Sequence, residues 1–246
     1  MAYSHETQHP PDYTVTWHRQ PGMFSDEVDG HIMTGVSANK WYDFYDMISN
    51  LPGGLSPRQI ISPELMTVSD MQLADLAKRS AQHAVRRRLD KVEMLSRRLP
   101  HLEFAIGTPE YTEGAVYNSV LGLQGGKRSV LARKSFLTPE EEGVFDLPSE
   151  RSAHQERARH LICAELIGHI EPTASSLRAS CCWAVPLADH EVPGYTPPPG
   201  EERYLGAMHA TIQQLMAQRA VGHLFIVDRT PPGGTTQPYS CIVRRN

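Results

Sequence analysis

The stretch AVYNSVLGLQGGKRSVLARK, residues 115–134, constrains the fold more than any other part of the chain. Two runs, the apolar 115–123 and the shorter-cored 127–134 with Val130, Leu131 and Ala132 at its centre, flank Gln124, Gly125 and Gly126. Glycine adopts positive φ at little steric cost, and tight turns between antiparallel strands demand that. The segment therefore predicts a β-hairpin whose second strand delivers Lys134 at its end.

Other apolar runs are distributed around this hairpin. YTVTWH (13–18) alternates as an edge strand does, and residues 1–12 read as a flexible tail. No clear opening strand follows the tail. Residues 37–52 carry Trp41, Phe44, Tyr45, Met47 and Ile48 at helical spacing and end at Pro52. RQIISPEL (58–65) reads as a buried strand that brings Glu64 to its end. Ser69 and Gln72 suggest a capping box, opening a long helix with Leu73, Leu76, Val85, Leu89, Val92, Leu95 and Leu99 on its apolar side. Strands are expected at 102–107, 160–163, 181–188, 223–228 and 239–243, and a helix containing Leu205, Met208, Ile212, Leu215 and Met216. Residues 189–202 form a Pro/Gly-rich loop of the length used for active-site walls. Helices and strands alternate without a composition break, which predicts one α/β domain over 13–246 with layers around mixed sheets.

With 24 basic and 28 acidic residues the formal charge is −4, so nucleic acid and anionic membrane are not expected as partners. The basic residues between the leucines of the long helix, Lys78 to Arg98, read as a solvated face. No run reaches the ~18–20 apolar residues of a membrane span, and no signal-peptide core is visible. The four cysteines lack zinc-site spacing, which points to a reduced, cytoplasmic setting. The twelve histidines form no compact ligand pattern, so neither a metal nor a cofactor is expected. Cys181, Cys182 and Cys241 read as core residues. Cys163 is different, because it ends the apolar run HLIC with Glu165 close behind.

Three blocks together resemble the carbon–nitrogen hydrolase (nitrilase) superfamily: IISPEL with Glu64, VYNSVLGLQGGKRSVLARKSFLTPEEEGVF with Lys134, and HLICAEL with Cys163. The second is the most specific. Lys134 lies seventy residues after Glu64, and Cys163 twenty-nine after Lys134, in the family's order. The resemblance covers about residues 58 to 243 and implies a four-layer αββα sandwich with mixed sheets. It also implies a Glu-Lys-Cys triad acting on a small amide, carbamoyl or nitrile substrate. A second glutamate eight residues beyond Lys134 would position substrate, which selects Glu142, with Glu140 and Glu141 as rivals.

The chemistry of these residue types supports the same picture. A thiolate attacks carbon where a thiol does not, Glu64 is the base that can take its proton, and Lys134 is a fixed cation for the developing oxyanion. The backbone N–H of Ala164 is the natural second oxyanion donor. Glu165 is expected to line or support the pocket. The Cys-x-Glu form and Tyr–Asn–Ser look more like the membrane-embedded apolipoprotein N-acyltransferase branch, yet this chain has no spanning segment. The alternative is a non-catalytic or acyl-transferring accessory protein of the same fold, of the conjugation-associated type. Relatives usually continue past the equivalent of CIVRRN with a tail used in dimer contacts. A homodimer is therefore an open expectation, with the short C-terminal end against the tail-mediated form.

Overall fold

Neighbouring residues of the same strand serve two different cores. In this computed structural model, which describes residues 12–18, 20–28, 30–51, 57–148, 160–163, 165, 176–180, 211–217, 221–229 and 240–246, Ile60 packs beneath helices while Ile61 packs between sheets. Phe104 and Ala105 divide in the same way, as do Leu121 and Val120. Side chains of a strand alternate between its faces, so a sheet covered on both sides needs apolar residues at consecutive positions.

One sheet has six strands in the order β2-β3-β4-β5-β6-β7: β2 (Gly22–Val28), β3 (His31–Ser37), β4 (Gln59–Ile61), β5 (Glu103–Thr112), β6 (Ala115–Gln124) and β7 (Lys127–Arg133). β4 runs parallel to both neighbours, and the remaining pairs are antiparallel. The second sheet has the order β1-β11-β10-β9-β8, from β1 (Tyr13–His18), β8 (His160–Ile162), β9 (Ser176–Ser180), β10 (His223–Val227) and β11 (Ser240–Arg245). β8, β9 and β10 are mutually parallel, while β11 is antiparallel to β10 and β1. Phe24, Met33, Ile61, Ala105, Val120 and Ala132 of the first sheet meet Ile162, Phe225, Val227 and Ile242 of the second.

Helices α1 (Trp41–Ser49) and α2 (Arg79–Arg98) cover the outer face of the six-stranded sheet with Trp41, Phe44, Ile48, Val85, Leu89, Val92 and Leu95. On the other sheet, residues 211–217 are helical, and Arg245 of β11 donates to the Met216 carbonyl there. The result is an αββα sandwich with mixed sheets. No helix among the described residues is long and apolar enough to cross a membrane.

The diglycine hairpin forms as its sequence requires, with Gly125 and Gly126 at φ 57° and 78° and Gln124 paired to Lys127. Three expectations change. The amino-terminal portion, expected to lack a clear opening strand, forms β1 and then the antiparallel pair β2 and β3. The long helix starts at Arg79 with no side-chain cap, so Ser69 and Gln72 do not form its capping box. Two short 3-10 turns, Met66–Val68 and Leu73–Asp75, occupy the preceding stretch instead. Arg88 leaves the solvated face expected for the basic residues. It is buried and donates to the Thr67 carbonyl and to both Asp70 oxygens at 2.5–2.7 Å, pinning the first of these turns. The strand expected at 181–188 and the loop at 189–202 lie outside the described residues.

The chain just after β4 sits so close to β5 that Gly107 has no room for a side chain. A β-carbon there would lie 2.3 Å from the Pro63 carbonyl oxygen and 2.8 Å from the Glu64 Cα. Both obstacles are backbone, which cannot rotate away. Gly107→Ala is therefore expected to push Glu64 outward and to cost about 1–3 kcal/mol of stability, as overpacking does, measured by urea denaturation.

Candidate active site

Four chain segments meet at one end of the sandwich. β4 ends at Ile61, and Ser62 and Pro63 carry the chain to Glu64. Leu65 then takes φ 51°, which turns the backbone into the 3-10 turn that follows. On the opposite sheet β8 ends at Ile162, and Cys163 takes φ 48°. Leu65 and Cys163 are the two non-glycine residues at positive φ among the described residues. Left-handed backbone costs an L-residue about 1–2 kcal/mol and concentrates at functional sites. Here it occurs once beside the carboxylate and once at the thiol.

The third segment is the end of the hairpin. Lys134 continues β7, and its N–H donates to the Asn118 carbonyl on β6 at 2.8 Å. Its side chain turns inward, with only 2 % exposed. Nζ donates to Glu64 Oε1 at 2.9 Å and to both Glu141 oxygens at 2.8 Å. Asn118 Nδ2 donates to the same two carboxylates, at 2.7 Å to Glu64 Oε1 and 2.9 Å to Glu141 Oε1. One ammonium and one amide thus hold two buried carboxylates together. Burial works against a charged Lys134, but the charges of Glu64, Cys163 and Glu141 outweigh it and hold its pKa above the ordinary lysine value. The lysine remains an ammonium throughout the neutral range.

Glu141 reaches this cluster because the chain turns tightly after Lys134. Its N–H donates to the Thr138 carbonyl at 2.9 Å, and its Oε2 accepts the Thr138 N–H at 2.9 Å. This alters the choice among the three glutamates: Glu141 is buried, whereas Glu140 and Glu142 are exposed. Glu142 is instead bridged to Phe145 through the backbone.

Cys163, 9 % exposed, stands in the layer between the sheets just past β8, which lies against β6 and β7. It is close enough to act electrostatically on Lys134. The structure thus joins Glu64, Lys134 and Glu141 by hydrogen bonds and sets Cys163 within reach of the Lys134 charge. Ala164 lies outside the described residues. The other described thiol, Cys241, is fully buried, and burial followed by the Asp228 charge pushes its pKa far up, as for an inert core residue.

The fourth segment follows β10. Arg229 is buried and donates from Nε to the Glu64 carbonyl at 3.0 Å, fixing the backbone that presents the carboxylate. Neither Arg229 nor Asn118 follows from sequence motif alone, but Asn118 left a signal. It shares a face of β6 with Val120, the face turned to the other sheet, and a lone amide there calls for buried polar partners.

The αββα sandwich is that of carbon–nitrogen hydrolases, and solved structures of that kind superpose on most of the chain. An amidase from Nesterenkonia sp. is 12% identical, with a TM-score of 0.53 over 93% of this chain and 91% of its own. A variant of the same amidase carries acrylamide added at its active-site cysteine. A carbon–nitrogen hydrolase from Helicobacter pylori is 9% identical, with a TM-score of 0.50 over 84% of this chain and 77% of its own. A glutamine-dependent NAD+ synthetase from Acinetobacter baumannii is 13% identical, with a TM-score of 0.53 over 84% of this chain but 43% of its own. No family model and no curated protein sequence matches the chain.

Proposed function

We propose that this protein is a thiol-dependent hydrolase of a small, non-peptide C–N bond, working through a thioester on Cys163. The observation that carries the reading is the buried Glu64–Lys134–Glu141 cluster placed beside a thiol on strained backbone. Burying two carboxylates and an ammonium is costly even when they are paired. A scaffold that only binds partners gains nothing from that cost, and this weighs against a non-catalytic role.

The proposed reaction follows from the positions of the groups. Asn118 and Lys134 both bond Oε1 of Glu64, so the other oxygen is the one suited to take a proton. Glu64 accepts the Sγ proton as sulfur bonds the substrate carbon, and the C=O pair moves to oxygen. The Lys134 ammonium stabilises that oxyanion without reorganising, because its neighbours already fix it. Glu64 returns the proton to the leaving nitrogen, the C–N bond breaks, and the acyl group stays on sulfur. Water then attacks the thioester while Glu64 takes its proton, and the C–S bond breaks to release a carboxylic acid and regenerate the thiol. Glu141 orients Lys134 and offers a carboxylate to a substrate N–H.

Incubation with a panel of small amides, carbamoyl compounds and nitriles, followed by mass spectrometry of the Cys163 peptide, tests this. An acyl adduct on Cys163 is expected with at least one substrate. Glu64→Gln is expected to lower its formation rate by about 10²–10⁴-fold, the usual contribution of a positioned base. Adding a primary amine separates hydrolysis from acyl transfer, because transfer yields a new amide. Absence of any adduct, with iodoacetamide labelling all four cysteines equally, would overturn the reading.

A further inference from the structure

A carboxylate outside the cluster makes three hydrogen bonds, and all of them join the strand ends that carry the cation and the thiol. Glu165 Oε1 accepts from the N–H and the hydroxyl of Ser135, each at 2.7 Å. Its Oε2 accepts from the N–H of Ile162 at 2.8 Å. Ser135 is the residue after Lys134, and Ile162 is the residue before Cys163. The side chain is 2 % exposed, so water does not compete for these bonds. β7 and β8 belong to different sheets and share no backbone ladder. At this end of the sandwich, one carboxylate therefore replaces a ladder.

We propose that Glu165 is a positioning residue that fixes the distance between Lys134 and Cys163 by tying Ser135 to Ile162. The proposal rests on the thiol-hydrolase reading above, since it assigns how two of that site's groups are held in register. The three partners are all donors, and an ionised carboxylate is the side chain that accepts from all of them. Burial holds the Glu165 carboxyl above its ordinary value, and the bonds from Ser135 and Ile162 and the nearby Lys134 charge offset only part of that rise. Glutamine has a single acceptor oxygen. In Glu165→Gln its NH2 would face either the Ser135 donors or the Ile162 N–H, and one side of the tie would open.

A purely electrostatic role and a positioning role differ in sign. Removing a negative charge beside Cys163 would favour the thiolate and lower its apparent pKa. Letting Lys134 drift from Cys163 would disfavour the thiolate and raise it. The experiment is iodoacetamide alkylation of Cys163 in the full chain across pH, read by mass spectrometry, with thermal melting recorded in parallel. Wild-type Cys163 is expected to titrate below the ordinary thiol value of about 8.5. Glu165→Gln is expected to move the midpoint up and to slow alkylation at neutral pH by about tenfold or more, the scale of a small misplacement. Ser135→Ala removes one of the three donors and is expected to shift the midpoint the same way by less, which keeps the test intact should Glu165→Gln fail to fold. An unchanged or lowered midpoint in the variants, against an activated wild-type thiol, overturns the positioning role alone. A wild type that forms no acyl adduct on Cys163 with any substrate of the panel overturns the hydrolase reading, and the positioning role with it.

Discussion

Cys163→Ala is expected to abolish turnover of every substrate the wild type accepts while leaving the protein folded. The sulfur supplies the electron pair that becomes the C–S bond, and neither Glu64 nor Lys134 can replace it in a thioester route. Loss of one sulfur at a site that is 9 % exposed removes little packing. Alanine meets the same left-handed backbone as cysteine at φ 48°, so the strain is unchanged. A stability change of about 1 kcal/mol or less is expected, checked by urea denaturation beside the activity assay. Cys163→Ser refines the test. Its hydroxyl fits the same space, but it ionises far less readily, and a fall of at least about a thousandfold is expected. Retention of more than a few per cent of activity in the alanine variant would mean that water attacks directly and that the cluster activates water rather than sulfur.

How far this site can be seen in sequence depends on what each residue is attached to. Glu64 and Lys134 follow apolar runs whose ends are marked by a proline and by a hairpin, so backbone rules alone locate them. Glu141 is hidden because three consecutive glutamates offer the same chemistry, and only the turn through Thr138 selects the middle one. Asn118 and Arg229 are hidden for another reason. Their value lies in partners 54 and 165 residues away along the chain, so the local sequence names neither partner, although the amide of Asn118 on an apolar strand face marks its need for one.

The fold divides in the same way. The diglycine hairpin, the edge strand and the apolar face of α2 are legible because local periodicity and burial agree. β2 is obscured because an inward position in GMFSDEV holds Asp26, a residue that breaks the apolar alternation. Asp26 is buried there because His223 of β10 and Arg244 of β11 both bond it, each at 2.8 Å, across the two sheets. The helical spacing of Leu73 and Leu76 misleads in the opposite direction. Gln72 is extended at φ −84° and ψ 149°, which interrupts any helix reaching back to Ser69. Arg88, bonded to Thr67 and Asp70, holds that region as tight turns behind Glu64.

Lys134→Met should be the most damaging substitution, because it strikes stability and chemistry together. Methionine nearly matches the length of the lysine stem but leaves Glu64 and Glu141 buried side by side with only Asn118 between them. Removing one partner from a buried ionic cluster costs about 3–5 kcal/mol, since the remaining charge is stranded without water. The wild-type contribution has a definite pH dependence. Lys134 has its pKa raised in the folded protein, so its stabilisation is complete below the unfolded lysine value of about 10.4 and is lost only as pH climbs beyond it. Between pH 6 and 9 the wild type should therefore show no loss of stability traceable to this lysine. The triple variant Lys134→Met with Glu64→Gln and Glu141→Gln separates the two consequences. With no charge left to strand, much of the lost stability should return in urea denaturation, while acylation of Cys163 should remain absent. A triple variant as unstable as the single one would show that the lysine matters for its packing rather than its charge.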